Sequence, residues 1–504
     1  MGGIPFTALG CAACKKRKIK CDLRKPECDN CIKRGKAPCP GYHDRIFIHH
    51  TLVSRHARNG ETTRPVPQLV GQLKPLALPA RFNMSAEART QLFANFMHTF
   101  FAPNPSLNGR DDTWYLLMAR FPTLAGQSEL LDRSVIGLAS VFLGTKKRDN
   151  QLAHHGLEIY NSALHTMLRI LQRNHPPTAA TLYSAIVFQT YETMQNSETV
   201  LRDCFAHIQG ATAILKRQDC TRYDDKTLIN AIIWRHKWAA AMFVLNTPYS
   251  IALDGECLSL GRTDSPADGL FGVIAACIVL RRDLCKLIGR PHHNREPPCQ
   301  CQALLQRCFE LEERLQVDWL HTSSHRLDGK PTPCSRWVFS QEPSMLPLDP
   351  DLAPYIFRNL ETAKIYLLYW VASLLIRRVI YQIETHLLRD PDPSCMLFYT
   401  REICRSVAYC IQPKNQMSAG QALLMALSQA CKCYIDCGNQ AEFLWCQAVY
   451  PFIAASGFGI ANLLSQVEWK FWNAAQRQPR GSLLLLPEAV HNTSILATVG
   501  DTRQ

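Results

Sequence analysis

The chain has 504 residues, 47% of them hydrophobic, 19% charged and 9% aromatic. That length is several times the ~100–150-residue modal domain, which predicts a sizeable core with at least one further module and excludes a small disulfide-stapled scaffold. The aromatic and charged shares exclude a largely disordered chain, and the net charge of +14 is unevenly placed: residues 1–80 hold 15 Lys/Arg against 5 Asp/Glu. A small basic head thus precedes a nearly neutral body, which points to a polyanionic partner, with nucleic acid ahead of a membrane surface because no apolar anchor accompanies the charge.

Residues 1–30 offer Lys and Cys where a secretory signal would need an apolar run, so the cysteines are read as belonging to a reducing compartment. Gly2 is followed by Phe6 where a myristoylation signal wants Ser or Thr. Six cysteines then fall in the first 39 residues: Cys11, Cys14, Cys21, Cys28, Cys31 and Cys39. Their spacing is C-x2-C-x6-C repeated with one residue added. A C-x2-C step lets a tight turn converge two sulfurs on one metal, and soft thiolates in tetrahedral array favour zinc. Six thiolates satisfy two four-coordinate zinc ions if two of them bridge both metals. A single zinc on Cys11, Cys14, Cys28 and Cys31 is the competing arrangement, and it leaves the regularly placed Cys21 and Cys39 without a role.

Between the second and third cysteines runs Lys15-Lys16-Arg17-Lys18-Ile19-Lys20. The bland reading is that these cations neutralise the negative thiolate cluster. With Lys33, Arg34 and Lys36 they exceed what such a cluster needs, so contact with DNA is expected as well. The stretch from Cys11 to Asp22, with Pro26 before Cys28 and Cys31-Ile32-Lys33-Arg34-Gly35 running on to Cys39 and Gly41-Tyr42, resembles the fungal zinc binuclear cluster (Zn2Cys6) transcription factors. The resemblance implies that all six cysteines are ligands, that Cys11 and Cys28 bridge, and that the two basic stretches are short helices related by a pseudo-two-fold. It also implies reading of a CGG-like triplet in the major groove by the residues before the third cysteine, here Arg17 and Lys18. Phosphate contact then falls to Lys15, Lys16, Lys20, Arg24 and Lys25.

From Pro40 to about Asn83 the chain carries His43, His49, His50 and His56 and prolines at 65, 67, 75 and 79. It reads as a linker, with the histidines solvated more readily than metal-bound. Members of the resembled family often carry a dimerising coiled coil here. Ile46, Ile48, Leu52, Val70 and Leu73 keep no 3.5-residue period, so pairing through the body or monomeric binding is left open. Arg45, Arg55, Arg58 and Arg64 extend the basic track.

The body reads as helix almost throughout. Leu92, Phe93, Phe96, Met97, Phe100 and Phe101 form one stripe at helical spacing, and Leu157, Tyr160, Leu164, Leu168 and Leu171 form another. Further helices are predicted near 127–146, 178–196, 200–217, 226–246, 267–289, 299–317, 352–388, 397–411, 420–436 and 440–478, with a proline-rich loop over 321–350. The apolar run from Ile365 to Ile376 is too short for a bilayer, which needs about 20 residues, and reads as a buried helix. Phe96–Phe101, the helix pair over 134–172 and Phe205–Leu215 resemble the second type of fungal-specific transcription factor domain, which implies regulatory contacts without catalysis. No phosphate-binding loop, nucleophile elbow or zinc-protease motif occurs. Cys431, Cys433 and Cys437 on a predicted helix, and His292, His293, Cys299 and Cys301 around a loop, read as buried thiols ahead of metal or redox sites.

The expectation is therefore a mainly α protein in four parts. Residues 1–42 form a Zn2Cys6 DNA-binding domain holding two Zn2+, 43–84 a basic linker, 85–480 a large all-helical regulatory domain and 481–504 a tail. The expected function is sequence-specific binding of double-stranded DNA at CGG-type sites in the nucleus, with no membrane association and no enzymatic activity. The body is expected to contact transcription-machinery or regulatory proteins and is a candidate homodimer surface. The rival reading is an interaction or sensor protein whose zinc cluster is structural and whose DNA binding is nonspecific.

Overall fold

The computed structural model describes Cys14, Arg17, Ile19 and residues 28–33 in the head. In the body it describes residues 85–477, apart from 102–112, 173–176, 196–199, 218–224, 247–254, 261–266, 289–297, 320–326, 328, 340–344, 350 and 388. The expected linker 43–84 and tail 481–504 lie outside the described residues. Contacts divide the chain into two compact units, Met1–Gln72 and Leu73–Gln504.

The protein is mainly α. The head contributes α1 (Asp29–Ile32), and the body opens with α2 (Ala86–Phe100), α3 (Thr113–Ala119) and α4 (Phe121–Leu124). The apolar stripe predicted on α2 is its buried face: Leu92, Phe93, Phe96 and Phe100 pack against the next long helix, with Phe96 and Phe142 ring centroids 5.6 Å apart. Ser85 caps α2 by accepting from the Ala88 amide at 3.2 Å, which satisfies a donor the first helical turn leaves unpaired.

Helices α5 (Glu129–Lys147) and α6 (Asn150–Gln172) form a hairpin turned by Arg148 in the left-handed region and by Asp149, whose carboxylate accepts from the Leu152 amide. Their axes approach so closely that a Cβ on Gly144 would lie 2.5 Å from the Ala153 nitrogen, and one on Gly156 would lie 2.7 Å from the Ser140 Cβ. Helix α7 (Ala179–Met194) packs beside α5, α8 (Val200–Arg217) packs against α7, and α7 is opened by a capping box between Thr178 and Thr181.

The second half is built around three helices buried on nearly every side: α9 (Lys226–Asn246), α13 (Leu360–His386) and α15 (Gln416–Cys437). Helices apolar all round are what the centre of a large helical protein requires. Around them lie α10 (Glu256–Ser259), α11 (Ala267–Ile288), α12 (Pro298–Asp318), α14 (Ser394–Cys410), α16 (Gln440–Ser456) and α17 (Ile460–Gln476). Polar locks sit between the central helices: Arg378 donates twice to Asp436 at 2.9 and 2.7 Å, and Lys432 donates to the Leu245 carbonyl at 2.6 Å, which closes the C-terminus of α9. The run Ile365–Ile376 lies wholly buried within α13. No described helix is long and apolar enough to cross a membrane.

The structure departs from expectation in three places. The helix expected from 352 begins at Leu360, because Tyr355–Ile356 (β2) pairs antiparallel with Thr332–Pro333 (β1) and Asn359 caps the helix through the Thr362 amide. The helix expected over 440–478 is two helices, broken at Gly457, whose φ of 132° suits glycine alone. The described part of the 321–350 loop is ordered by Arg336, whose guanidinium donates to the carbonyls of Pro347, Asp349 and Leu352.

Candidate metal centre and nucleic-acid interface

In the head, Cys28 stands in extended conformation immediately before α1, and the Cys31 and Ile32 amides both donate to its carbonyl, at 2.9 and 3.1 Å. This single turn is what the second C-x2-C step provides: it places the Cys28 and Cys31 side chains on one side of the backbone. From the first half, Cys14 joins them. The Ile19 amide donates to the Cys14 carbonyl at 3.1 Å.

The three sulfurs lie within 4.8 Å of one another, and all three residues are buried. Cys14 Sγ and Cys28 Sγ are 3.6 Å apart. Two sulfurs each about 2.3 Å from a tetrahedral zinc stand roughly 3.8 Å apart, so this spacing fits shared metal ligation. Packed as neutral thiols without a metal, three converging sulfurs would gain little in so small a fold. As thiolates they are a soft donor set suited to zinc. Among the described residues they are also the one grouping of three or more side chains able to hold a metal ion.

The guanidinium of Arg17 lies on this trio. Its Nη2 donates to Cys14 Sγ at 3.6 Å, to Cys31 Sγ at 4.0 Å and to the Asn30 carbonyl at 3.3 Å. A cation donating to two thiolates offsets their charge and ties the two halves of the head together, since Arg17 belongs to the first half and Asn30 to the second. The charge-compensating reading of the basic run thus has a concrete instance at Arg17. The part played by the Asn30 carbonyl was not anticipated from sequence; the signal was the three-residue step from Cys14 to Arg17, which sets a long donor beside the first sulfur. Lys33 and Ile32 are exposed on the far side of α1. Cys11, Cys21 and Cys39, with Lys15, Lys16, Lys18, Lys20, Arg24 and Lys25, lie outside the described residues.

The other cysteine groups have a different character. Cys431 and Cys433 are buried in α15, and burial pushes the Cys431 thiol up to about 12. Cys437 is half-buried. A thiol–thiol hydrogen bond with Cys433 is the largest influence on both: it raises Cys437 and lowers Cys433. Cys301 is buried in α12, where desolvation raises its thiol, and Cys299 is exposed. His292 and His293 lie outside the described residues. A thiol held neutral by burial neither ligates nor attacks readily, so Cys431 and Cys301 fit the body's core, whereas the expectation of a buried thiol fails at exposed Cys299 and holds only in part at half-buried Cys437.

Comparison with known proteins places the head more narrowly. Residues 9–46 match the Fungal Zn(2)-Cys(6) binuclear cluster domain. The chain is 58% identical over 61 residues to White-opaque regulator 2 of Candida albicans, a match covering 12% of each chain. It is 61% identical over 36 residues to an uncharacterized transcriptional regulatory protein of Schizosaccharomyces pombe, covering 7% of this chain and 6% of that one. The matches thus span a small fraction of either relative's length, and no solved structure matches the chain. The sulfur trio, the spacing of the six cysteines and these alignments agree: residues 9–46 are a fungal Zn(2)-Cys(6) binuclear cluster domain, a fold organised by two zinc ions.

Proposed function

We propose that the chain is a nuclear, sequence-specific DNA-binding transcription regulator that docks its zinc cluster in the major groove at CGG-type sites. The observation that carries this reading is the buried sulfur trio of Cys14, Cys28 and Cys31 within a segment that matches fungal regulators and encloses a run of five cations. In this proposal Cys11, Cys14, Cys21, Cys28, Cys31 and Cys39 hold two Zn2+, and the metal supplies the rigidity that so short a peptide lacks. Lys18 and Arg17 face guanine O6 and N7, with Arg17 also braced on the sulfurs. Lys15, Lys16, Lys20, Arg24 and Lys25 contact phosphates and set the docking register. Residues 1–42 act as the reader, 43–84 as a linker, and the helical body over 85–480 receives regulatory proteins and offers a surface for pairing two copies.

Competition at fixed salt tests the reading. A CGG-containing duplex is expected to displace the chain from labelled specific DNA at concentrations at least about 1,000-fold lower than a shuffled duplex of equal length. Equal competition by the two duplexes would leave the cluster with a structural role and electrostatic DNA affinity only.

A further inference from the structure

Helix α16 packs one side against α15 and α17 and leaves an apolar face outward. Its outward residues are Ala441, Leu444, Ala448, Pro451, Phe452 and Ala455, all exposed, Leu444 at 43% and Phe452 at 40%. A helix that faces water ordinarily carries charged and polar side chains there. On α16 the one charged residue is Glu442, half-buried near the N-terminal end, and no exposed residue from Leu444 to Ala455 is polar. Contiguous apolar surface of this kind marks a contact to be made.

Where the chain goes next identifies the occupant. Helix α17 runs antiparallel to α16: Phe443 stacks on Trp472 with ring centroids 4.6 Å apart, while Gln447, one turn on, donates to Glu468 at 3.0 Å and accepts from Ser465 at 2.6 Å. Arg477 therefore leaves α17 beside the N-terminal end of α16, where Trp469 adds a 37% exposed indole packed on Phe443. Six residues beyond Arg477 begins the run Leu483-Leu484-Leu485-Leu486, followed by Pro487. Six residues reach about 20 Å when extended, ample for Leu444. Four extended leucines cover about 13 Å, which matches the roughly 12 Å from Leu444 to Phe452 along the helix.

Charge and size favour the same occupant. Arg477 and Arg480 precede the leucines, and Glu442 stands at the end of α16 from which that segment departs. A face about 12 Å long buries well under the ~1,000 Å² that two separate molecules need to hold together. A segment tethered a few residues away needs less, because its effective concentration is high.

We propose that the leucine run 483–486 of this chain lies along the outer face of α16, with Leu483 toward Leu444 and Leu486 toward Phe452. The proposal goes beyond the DNA-reading function and stands whether or not the head reads CGG.

Photo-crosslinking of the full-length zinc-loaded chain tests it. With Phe452→p-benzoylphenylalanine or Leu444→p-benzoylphenylalanine, irradiation and mass spectrometry are expected to recover a link, within one chain, to the peptide that holds residues 483–486. The probe at 444 should react nearer Leu483 and the probe at 452 nearer Leu486. Both positions are exposed, so the probes leave the core intact. Successive side chains of an extended run point to opposite sides, so Leu484→Asp together with Leu485→Asp strikes whichever side is seated and should cut the yield about tenfold or more. No such peptide at either probe, or parental yield in the paired aspartate variant, would overturn the proposal. So would a linked species of twice the mass whose share falls on dilution, which would assign the face to a second copy of the chain.

Discussion

At the scale of single residues, the proposed function expects Lys18 to read bases and Lys25 to hold phosphate. Lys18→Ala should cost about 1–3 kcal/mol on a CGG-containing site and flatten discrimination there, whereas Lys25→Ala should weaken all duplexes alike and lower the salt slope by about 1. Equal losses on specific and random DNA for Lys18→Ala would assign it to the phosphates. In the body, His236 is the residue whose chemistry is most constrained. Thr212 spends its hydroxyl proton on the Ile208 carbonyl at 2.8 Å, so its oxygen accepts from His236 Nε2 at 3.0 Å, and Nδ1 is left to accept from the Gln189 amide at 3.2 Å. The ring is therefore neutral, and burial, with Lys237 beside it, brings its pKa down to about 4. A histidine depressed in the folded state contributes stability that is present above its unfolded pKa of about 6.5 and is lost as pH falls toward its folded value. Between pH 6.5 and 5 the body should lose about 2 kcal/mol through this group. Denaturant titrations of the parent and of His236→Gln should show the variant's stability changing less over that interval, and parallel curves would remove His236 as the cause.

At the scale of elements, the α5–α6 hairpin shows what a glycine can be for. Gly144→Ala drives a methyl into the Ala153 backbone, which cannot rotate away as a side chain could, so a loss of about 1–3 kcal/mol is expected. Gly210 in α8 has nothing within 4 Å of where a Cβ would stand, and Gly210→Ala should instead stabilise by roughly 0.4–1 kcal/mol. Opposite shifts of the thermal midpoint check the pair, and a neutral Gly144→Ala would mean the helices can part at no cost. The same hairpin marks how far the sequence could be read. The stripe Leu157–Leu171 announces α6, and the apolar run from Ile365 to Ile376 announces a buried helix, because periodicity and length are local properties. Helix ends were less legible: β2 forms only because Thr332–Pro333 comes alongside it, and α16 ends at Gly457 because Phe458 must turn inward to fill the space over Gly420. In the head, the spacing of Cys14, Cys28 and Cys31 was enough to predict convergence, whereas the seat of Arg17 on the sulfurs depends on a fold that the spacing does not describe.

At the scale of the whole molecule, the two compact units differ in what holds them. The body has a continuous apolar core running through α2 to α17, and among its described residues no grouping of three or more side chains placed to hold a metal ion. The zinc-cluster domain of the head spans only residues 9–46, close to the limit of about 40 residues below which a chain seldom stands by burial alone and a metal is usually needed. Metal binding and folding of the head are therefore expected to be one equilibrium, with the body expected to fold without it. Elemental analysis of the intact chain should return two zinc atoms per molecule. A strong chelator should then abolish binding to CGG-containing DNA and open residues 11–39 to amide exchange, with the body's thermal midpoint unchanged. One zinc per molecule would favour the four-cysteine site on Cys11, Cys14, Cys28 and Cys31. A fall in the body's midpoint on zinc removal would show that the helical core leans on the head, and that the chain answers to metal as a single cooperative unit.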